Sequence, residues 1–142
     1  MALKAYQELE YISLGEQELL DRARRSLLAF TLYTKPDYKL NWHHRHMCEI
    51  LKKFISREIT HLMVFMPPRH GKSELTSRRL PAFLHGLYPD DEIITASYNS
   101  GLAADMCAAV QRIMDTEKYI NLFPNSRITP EGSRSSFKRS SN

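Results

Sequence analysis

Apolar residues recur at the three- and four-residue spacing of an amphipathic helix in four stretches of the chain. These stretches are residues 16–34, 42–57, 71–87 and 100–115. Asn41 is placed to cap the second helix, and Gly71 opens the third. Pro81 lies inside the third stretch and should kink or restart the helix there, because proline has no backbone N–H to donate.

Two short apolar runs, residues 61–66 and 92–97, lie between these helices. Nearly continuous apolar runs of this length are typical of strands that are buried on both faces of a parallel sheet. Because the predicted strands alternate with helices, the pattern indicates an α/β fold, with a parallel sheet flanked by helices and preceded by a helical segment.

The same pattern divides the chain into three predicted parts. Residues 1–41 form an N-terminal helical segment, and residues 42–125 form an incomplete α/β domain. Residues 126–142 are expected to be a disordered or truncated tail, because the stretch EGSRSSFKRSSN offers almost nothing to a hydrophobic core.

Composition and charge narrow the function only slightly. The 142 residues carry a net charge of +4, which permits a polyanionic partner without requiring one. Cys48 and Cys107 occupy apolar helical positions, so we expect reduced core thiols. His43, His44 and His46 lack a cysteine or carboxylate at a spacing that would complete a metal site.

The chain also shows no targeting or membrane signal. Its first residues, MALKAYQELEY, have no apolar core of the length a signal peptide needs. No stretch approaches the roughly 20 apolar residues that span a bilayer. We therefore expect a soluble protein, without membrane association, in a reducing compartment.

The turn between the first apolar run and the third helix carries the strongest chemical signal. Residues 66–73, MPPRHGKS, match the second half of the phosphate-binding loop pattern G-x-x-x-x-G-K-[ST], with Met66 in place of the first glycine. Such a loop holds the β- and γ-phosphates of a nucleoside triphosphate on backbone N–H groups at a helix N-terminus. The alternative is an ordinary strand-to-helix turn with an incidental lysine.

Each residue of the loop has a predicted task. Gly71 permits a positive φ and a close approach of the phosphates, and Lys72 supplies a compact charge to the β/γ oxygens. Ser73 is the predicted Mg²⁺ ligand. Arg69 is predicted to clamp the γ-phosphate or to stabilise charge developing there, with a surface salt bridge as the alternative.

The helix that begins near Trp42 offers a second part of the predicted nucleotide site. Trp42 and His43 are placed to cover the adenine, although Trp42 could instead cap the apolar stripe of its own helix. The full set expected to contact the nucleotide is Pro68, Arg69, His70, Gly71, Lys72, Ser73, Glu74, Trp42 and His43.

A triphosphatase also needs a carboxylate at the end of a neighbouring buried strand, to hold Mg²⁺ and orient water. Asp90 and Asp91 precede the second apolar run, and Asp105, Asp115 and Glu117 lie on or just after a helix. No carboxylate follows an apolar run, so we expect this chain alone to bind ATP with little or no hydrolysis.

Four segments together resemble the large subunit of tailed-bacteriophage terminases, the ATP-driven DNA-packaging motors. These segments are WHH at 42–44, MPPRHGKSE at 66–74, ITASY at 94–98 and YINLFP at 119–124. The resemblance covers about residues 35–125, and it includes the missing first glycine and the arginine within the loop. The acidic strand, the coupling motif and the nuclease domain of the family have no counterpart in this sequence.

The resemblance implies a RecA-like P-loop ATPase domain that uses ATP and Mg²⁺. It implies that double-stranded DNA, the terminase small subunit and the portal protein of the procapsid are partners, and that the protein acts in the bacterial host cytoplasm. Lys72 and Ser73 would bind the triphosphate and Mg²⁺, Arg69 would sense the γ-phosphate, and Trp42 and His43 would lie near the adenine.

Two other functions remain open from the sequence. One is a different P-loop enzyme, helicase-like or kinase-like. The other is a non-enzymatic DNA-packaging accessory protein that binds DNA through its basic helices, with an affinity that falls with salt and ignores ATP.

Overall fold

Six α-helices account for most of residues 15–128 and 139–140, the part of the chain that the computed structural model describes. The helices are α1 (Glu16–Arg25), α2 (Leu27–Thr34), α3 (Trp42–Ile55), α4 (Leu80–Leu87), α5 (Ser100–Met114) and α6 (Glu117–Leu122). A π-helical segment, Glu74–Arg79, leads directly into α4. Two-residue strands β1 (Arg127–Ile128) and β2 (Arg139–Ser140) pair antiparallel.

Side-chain caps mark where α3, α5 and α6 begin. The Asn41 side chain accepts a hydrogen bond from the Trp42 N–H at 2.8 Å, which confirms the predicted cap of α3. The Asn99 side chain accepts from the Gly101 N–H at 2.7 Å, and Thr116 accepts from the Tyr119 N–H at 3.3 Å. Each cap satisfies an N–H group that the first turn of a helix leaves without a partner.

The stretch predicted as one helix over residues 16–34 is interrupted at Ser26. Ser26 has extended backbone angles, φ −135° and ψ 123°, and its hydroxyl accepts from the Ala29 N–H at 3.4 Å. Serine competes for backbone hydrogen bonds in this way and therefore favours helix starts over helix interiors. The chain changes direction here, and α1 packs back against α2.

Pro81 restarts the third predicted helix, as its position indicated. It lies in the first turn of α4, directly after the π-helical segment. A proline ring clashes with the carbonyl four residues earlier in a regular α-helix. The wider π turn before Pro81 accommodates that ring without ending the helix.

The predicted parallel sheet, and with it the α/β class, is wrong. The described residues are 61% helix, and residues 61–66 and 92–97 have no regular secondary structure. Their backbones form no hydrogen bond with another described backbone group, and Phe65 and Ile94 are 81% and 90% exposed. An apolar run becomes a strand only when a neighbouring strand supplies the ladder of hydrogen bonds, and these two runs do not pair.

An aromatic cluster forms the centre of the core and joins α2, α4 and α6. Phe30 packs 5.2 Å from Phe83 and 6.2 Å from Tyr119, measured between ring centroids. Phe123 lies 5.4 Å from Tyr119, and all four side chains are buried. Because α2 and α4 are fixed against each other here, the end of α2 is held beside the π-helical segment that follows the loop.

The core extends past the predicted boundary between domain and tail. Ser126 is fully buried, and its hydroxyl donates to the His85 carbonyl at 3.0 Å and lies 3.1 Å from the Tyr119 hydroxyl. Residues 129–138 and 141–142 of the predicted tail, and residues 1–14 of the predicted N-terminal segment, lie outside the described residues.

Both cysteines are free thiols, as predicted. Cys48 is buried within α3, and this burial raises the pKa of its thiol to about 11. A thiol with so high a pKa is a poor nucleophile at neutral pH, so Cys48 contributes packing rather than reactivity.

Candidate phosphate-binding loop

The loop between residues 66 and 73 turns sharply before a helical start at Lys72. Arg69 and Gly71 both have positive φ angles, 64° and 78°. The His70 ring closes the turn through a hydrogen bond between its Nδ1 and the Pro68 carbonyl at 2.8 Å. Positive φ costs glycine little but costs arginine about 1 kcal/mol or more, so the turn at Arg69 stores strain of the kind found at ligand-binding sites.

A row of backbone N–H groups at the helix start lacks carbonyl partners. Among the described residues, no backbone N–H from residues 70–74 donates to a backbone carbonyl, and the first to do so is that of Leu75, which reaches Gly71 at 3.2 Å. The partial positive charge of a helix N-terminus is concentrated on such groups. The loop therefore offers an anion several donors at once.

Two cations accompany these donors. The Lys72 side chain is half-buried and that of Arg69 is exposed, and neither forms an ion pair with a described residue. The surface salt bridge considered for Arg69 is thus not formed within the described part of the chain. Ser73 is exposed and its hydroxyl makes no cap hydrogen bond, so it is free to act as a metal ligand.

Glu74, predicted to contact the nucleotide, instead pairs with three cationic side chains. Its carboxylate lies 2.9 Å from Arg79, 3.1 Å from Arg78 and 3.6 Å from Lys35. Burial raises the pKa of Glu74, but the hydrogen bond and charge of Arg79, helped by Lys35 and Arg78, outweigh it and leave that pKa below its usual value. Glu74 is therefore ionised and ties the helix start to the end of α2.

Arg79 is the buried centre of this ion cluster. Its side chain is only 9% exposed, and besides Glu74 it donates to the Thr34 hydroxyl at 2.7 Å. Thr34 in turn donates to the Phe30 carbonyl at 2.7 Å. The helix after the loop is thus connected by charged and polar contacts to α2, whose Phe30 belongs to the aromatic cluster.

The start of α3 lies next to the loop. The His43 ring is 5.8 Å from the His70 ring, measured between centroids. Trp42 is 75% exposed and touches the His43 ring edge-on at 5.6 Å, so it does not cap the apolar stripe of its helix. His43 is therefore beside the loop, and the roles of Trp42 and His43 toward adenine stay predictions.

His44 is the residue near the loop that the sequence did not single out for binding. It is 6% exposed, and its Nδ1 accepts from the Asn41 N–H at 3.1 Å while its Nε2 lies 3.0 Å from the His70 carbonyl oxygen. Burial is the main cause that lowers its pKa below the usual value. The sequence feature that could have predicted this contact is the helix cap. His44 stands three residues after the cap residue Asn41, where a side chain can accept a hydrogen bond from the backbone N–H of the cap residue.

Tyr38 also lies against the loop from behind. Its ring is 5.1 Å from the His44 ring, and its hydroxyl is buried without a hydrogen-bond partner among the described residues. Burial raises the pKa of Tyr38 to about 12, so the phenol is neutral at physiological pH. A Cβ added to Gly71 would lie 3.0 Å from this hydroxyl, so Tyr38 helps to close the space behind the loop.

The described residues contain no cluster of three or more histidine, cysteine or carboxylate side chains that could hold a metal ion. A Mg²⁺ ion at this loop would therefore depend on Ser73 together with phosphate oxygens. A serine hydroxyl of a phosphate-binding loop is a known Mg²⁺ ligand, so Ser73 fits one part of such a site, but the carboxylate that usually accompanies it is not supplied by the described residues beside the loop.

No helix among the described residues is long and apolar enough to cross a bilayer. Comparison of the chain with protein-family models, curated proteins and solved structures returned no match.

Proposed function

We propose that residues 68–73 bind the β- and γ-phosphates of ATP together with Mg²⁺. One observation carries this proposal: Lys72 and Arg69, which form no ion pair within the described part of the chain, stand beside a row of backbone N–H groups that find no carbonyl partner there. A helix N-terminus with free N–H groups and adjacent cations is a ready anion site, and a polyphosphate can bond several of these groups at once.

The residues divide the work by chemistry. Lys72 supplies a point charge to the β/γ oxygens, and Arg69 supplies a planar fork of donors that suits the terminal phosphate. The Ser73 hydroxyl serves as the protein ligand of Mg²⁺, which when bound neutralises phosphate charge. His43, beside the His70 ring, and Trp42, which packs on His43, provide aromatic surface for adenine.

Binding, rather than hydrolysis, is the activity proposed for this chain alone. The carboxylate next to the loop, Glu74, is already engaged by three cations. Asp91 is paired with Arg57 at 2.8 Å. Neither is free to orient an attacking water, which a triphosphatase requires.

The wider role that we propose follows the sequence resemblance. The loop contains an arginine and lacks the first glycine of the general pattern, and the WHH, ITASY and YINLFP segments accompany it. Together these features support the proposal that the chain is part of a terminase large subunit. On this proposal the chain belongs to an ATP-driven motor that packages double-stranded DNA, with the small subunit and portal protein as partners in the host cytoplasm.

A ligand series tests the phosphate specificity of the site. With Mg²⁺ present, isothermal titration should rank ATP first, ADP next, and AMP at least about tenfold weaker than ATP, since each charge-assisted phosphate contact contributes about 1.5–3 kcal/mol. Ser73→Ala should weaken binding of Mg·ATP while leaving metal-free ATP little changed. Equal affinities for AMP and ATP would contradict phosphate recognition by the loop.

A further inference from the structure

We infer that His44 is a positioning residue, whose imidazole fixes the shape of the phosphate-binding loop by donating a hydrogen bond to the His70 carbonyl. The functional consequence of this inference rests on the proposed nucleotide binding. The structural part stands on the contacts of His44 alone.

The neighbours of the imidazole define its tautomer. The Asn41 backbone N–H can only donate, so the Nδ1 atom of His44, 3.1 Å away, must be unprotonated. In the neutral ring the proton is then on Nε2. The His70 carbonyl can only accept, so Nε2–H donates to it across 3.0 Å.

His43 is compatible with the same arrangement. Its Nε2 lies 3.1 Å from Nε2 of His44, and the rings are 4.1 Å apart between centroids. Since His44 carries the single proton between them, the His43 nitrogen faces it as an acceptor. The contact with His43 is therefore consistent with a protonated Nε2 on His44, which the Asn41 N–H and the His70 carbonyl define.

This hydrogen bond also gives a partner to a loop carbonyl just before the helix start. In an α-helix the His70 carbonyl would accept from the Glu74 N–H, four residues later. Here it accepts from His44, and the Glu74 N–H has no carbonyl partner among the described residues. Because Gly71, with φ 78°, directly precedes the helix, the Glu74 N–H lies in the first turn, where N–H groups have no intrahelical partner. The imidazole supplies the His70 carbonyl with the donor that the helix does not give it.

His44 is also packed tightly against Gly71 of the loop. A Cβ built on Gly71 would lie 2.5 Å from Nε2 of His44, so the imidazole, together with the Tyr38 hydroxyl, occupies the space behind the loop. The same ring accepts from the Asn41 cap, so the start of α3 and the loop form one unit. Orientation of the ring is therefore coupled to orientation of the loop.

Two neutral substitutions separate the two nitrogens of the ring. In His44→Asn the amide oxygen takes the place of Nδ1 and keeps the bond from Asn41, but no donor reaches His70. In His44→Gln the amide N–H₂ group extends to the position of Nε2 and restores a donor. If the donor matters, the glutamine variant rescues the loop and the asparagine variant does not.

Three readouts decide the inference. Nitrogen-15 NMR of histidine-labelled protein gives the tautomer of His44 in the wild type. Trypsin cleavage after the exposed Arg69 reports loop order without nucleotide, with thermal unfolding recorded alongside to separate loop opening from global loss of structure. Titration with Mg·ATP reports the functional consequence.

We expect a protonated Nε2 and an unprotonated Nδ1 on His44. His44→Asn should be cleaved faster after Arg69 and bind Mg·ATP about tenfold more weakly, whereas His44→Gln should stay within about threefold of the wild type in both measurements.

A protonated Nδ1, or an asparagine variant that matches the wild type in cleavage, would overturn the inference, as would a glutamine variant as impaired as the asparagine one. If the wild type itself fails to bind ATP, the proposed function fails, while tautomer and cleavage still decide the role of His44.

Discussion

Replacing Arg79 with alanine should lower the free energy of unfolding by about 3 kcal/mol. The Arg79 side chain is 9% exposed and bonds both Glu74, at 2.9 Å, and the Thr34 hydroxyl, at 2.7 Å. Its removal leaves a largely buried carboxylate with only its two more exposed partners, Arg78 and Lys35. The penalty arises because this carboxylate stays largely buried with weaker compensation, rather than from the lost attraction alone.

Arg78→Ala is the matched control, because Arg78 contacts the same carboxylate at 3.1 Å from a side chain that is 49% exposed. It should cost less than about 1 kcal/mol, as exposed ion pairs do. Urea unfolding of both variants gives the comparison. Equal losses for Arg78→Ala and Arg79→Ala would show that burial does not govern this ion cluster.

Acid titration checks the same cluster independently. The folded state lowers the pKa of Glu74 from its usual 4.5, chiefly because Arg79 overcomes the opposing effect of burial. A lowered carboxylate pKa contributes stability that is present above pH 4.5 and is lost as the pH falls through the folded pKa. Arg79→Ala should reduce this loss below pH 4.5, since the folded and unfolded pKa values move closer together.

Gly71→Ala should destabilise the protein by about 2–3 kcal/mol and abolish measurable nucleotide binding. The backbone at Gly71 has φ 78°, which costs an alanine about 1–2 kcal/mol. Its Cβ would also lie 2.5 Å from the His44 ring and 3.0 Å from the Tyr38 hydroxyl, so the loop or the ring must shift.

Gly15→Ala controls for the loss of a glycine as such. Gly15 has φ −61°, an angle that any residue adopts, and a Cβ there meets nothing within 4 Å. Its change in unfolding free energy should stay below about 1 kcal/mol, with nucleotide binding unchanged. Wild-type binding by Gly71→Ala would mean that the loop does not depend on its positive φ.

The sequence predicted the helices well because their information is local. Apolar spacing located α3 and α5, and the side chain of Asn41 marked where α3 begins. Ser26 shows the limit, since a serine within an apolar helical pattern reads as a tolerated interior residue until the turn between α1 and α2 makes it a cap. The sequence likewise indicates that Pro81 disturbs the helix, but it does not show that a π-helical turn accommodates the proline ring.

The sheet could not be predicted from the apolar runs, because pairing is a property of two segments. Residues 62, 64 and 66 lie partly against the core while Met63 and Phe65 are exposed, so the run has one packed side, and its backbone bonds no other backbone group that the structure describes. Apolar character alone does not distinguish such a segment from a strand within a sheet.

The sequence identified the residues of the candidate loop, but it did not identify the side chains that pack against the loop and its helix. Lys72, Ser73 and Arg69 followed from a motif whose chemistry is local to seven or eight residues. His44 and Tyr38 lie 27 and 33 positions before Gly71 and reach the loop only through tertiary packing. Arg79 follows the loop closely in sequence, but its contact with Thr34 depends on the packing of α2. Nothing in their own spacing marked them as neighbours of a phosphate site.

The most direct test of nucleotide binding is calorimetric titration of the wild-type chain and of Lys72→Ala with Mg·ATP. The wild type should show saturable binding, and Lys72→Ala should weaken it by at least about tenfold, because the main charge facing the phosphates is gone. Lys52→Ala, which removes an exposed lysine from α3, should leave the affinity unchanged. Wild-type protein without detectable ATP binding, or equal affinities for wild type and Lys72→Ala, would contradict the proposed function.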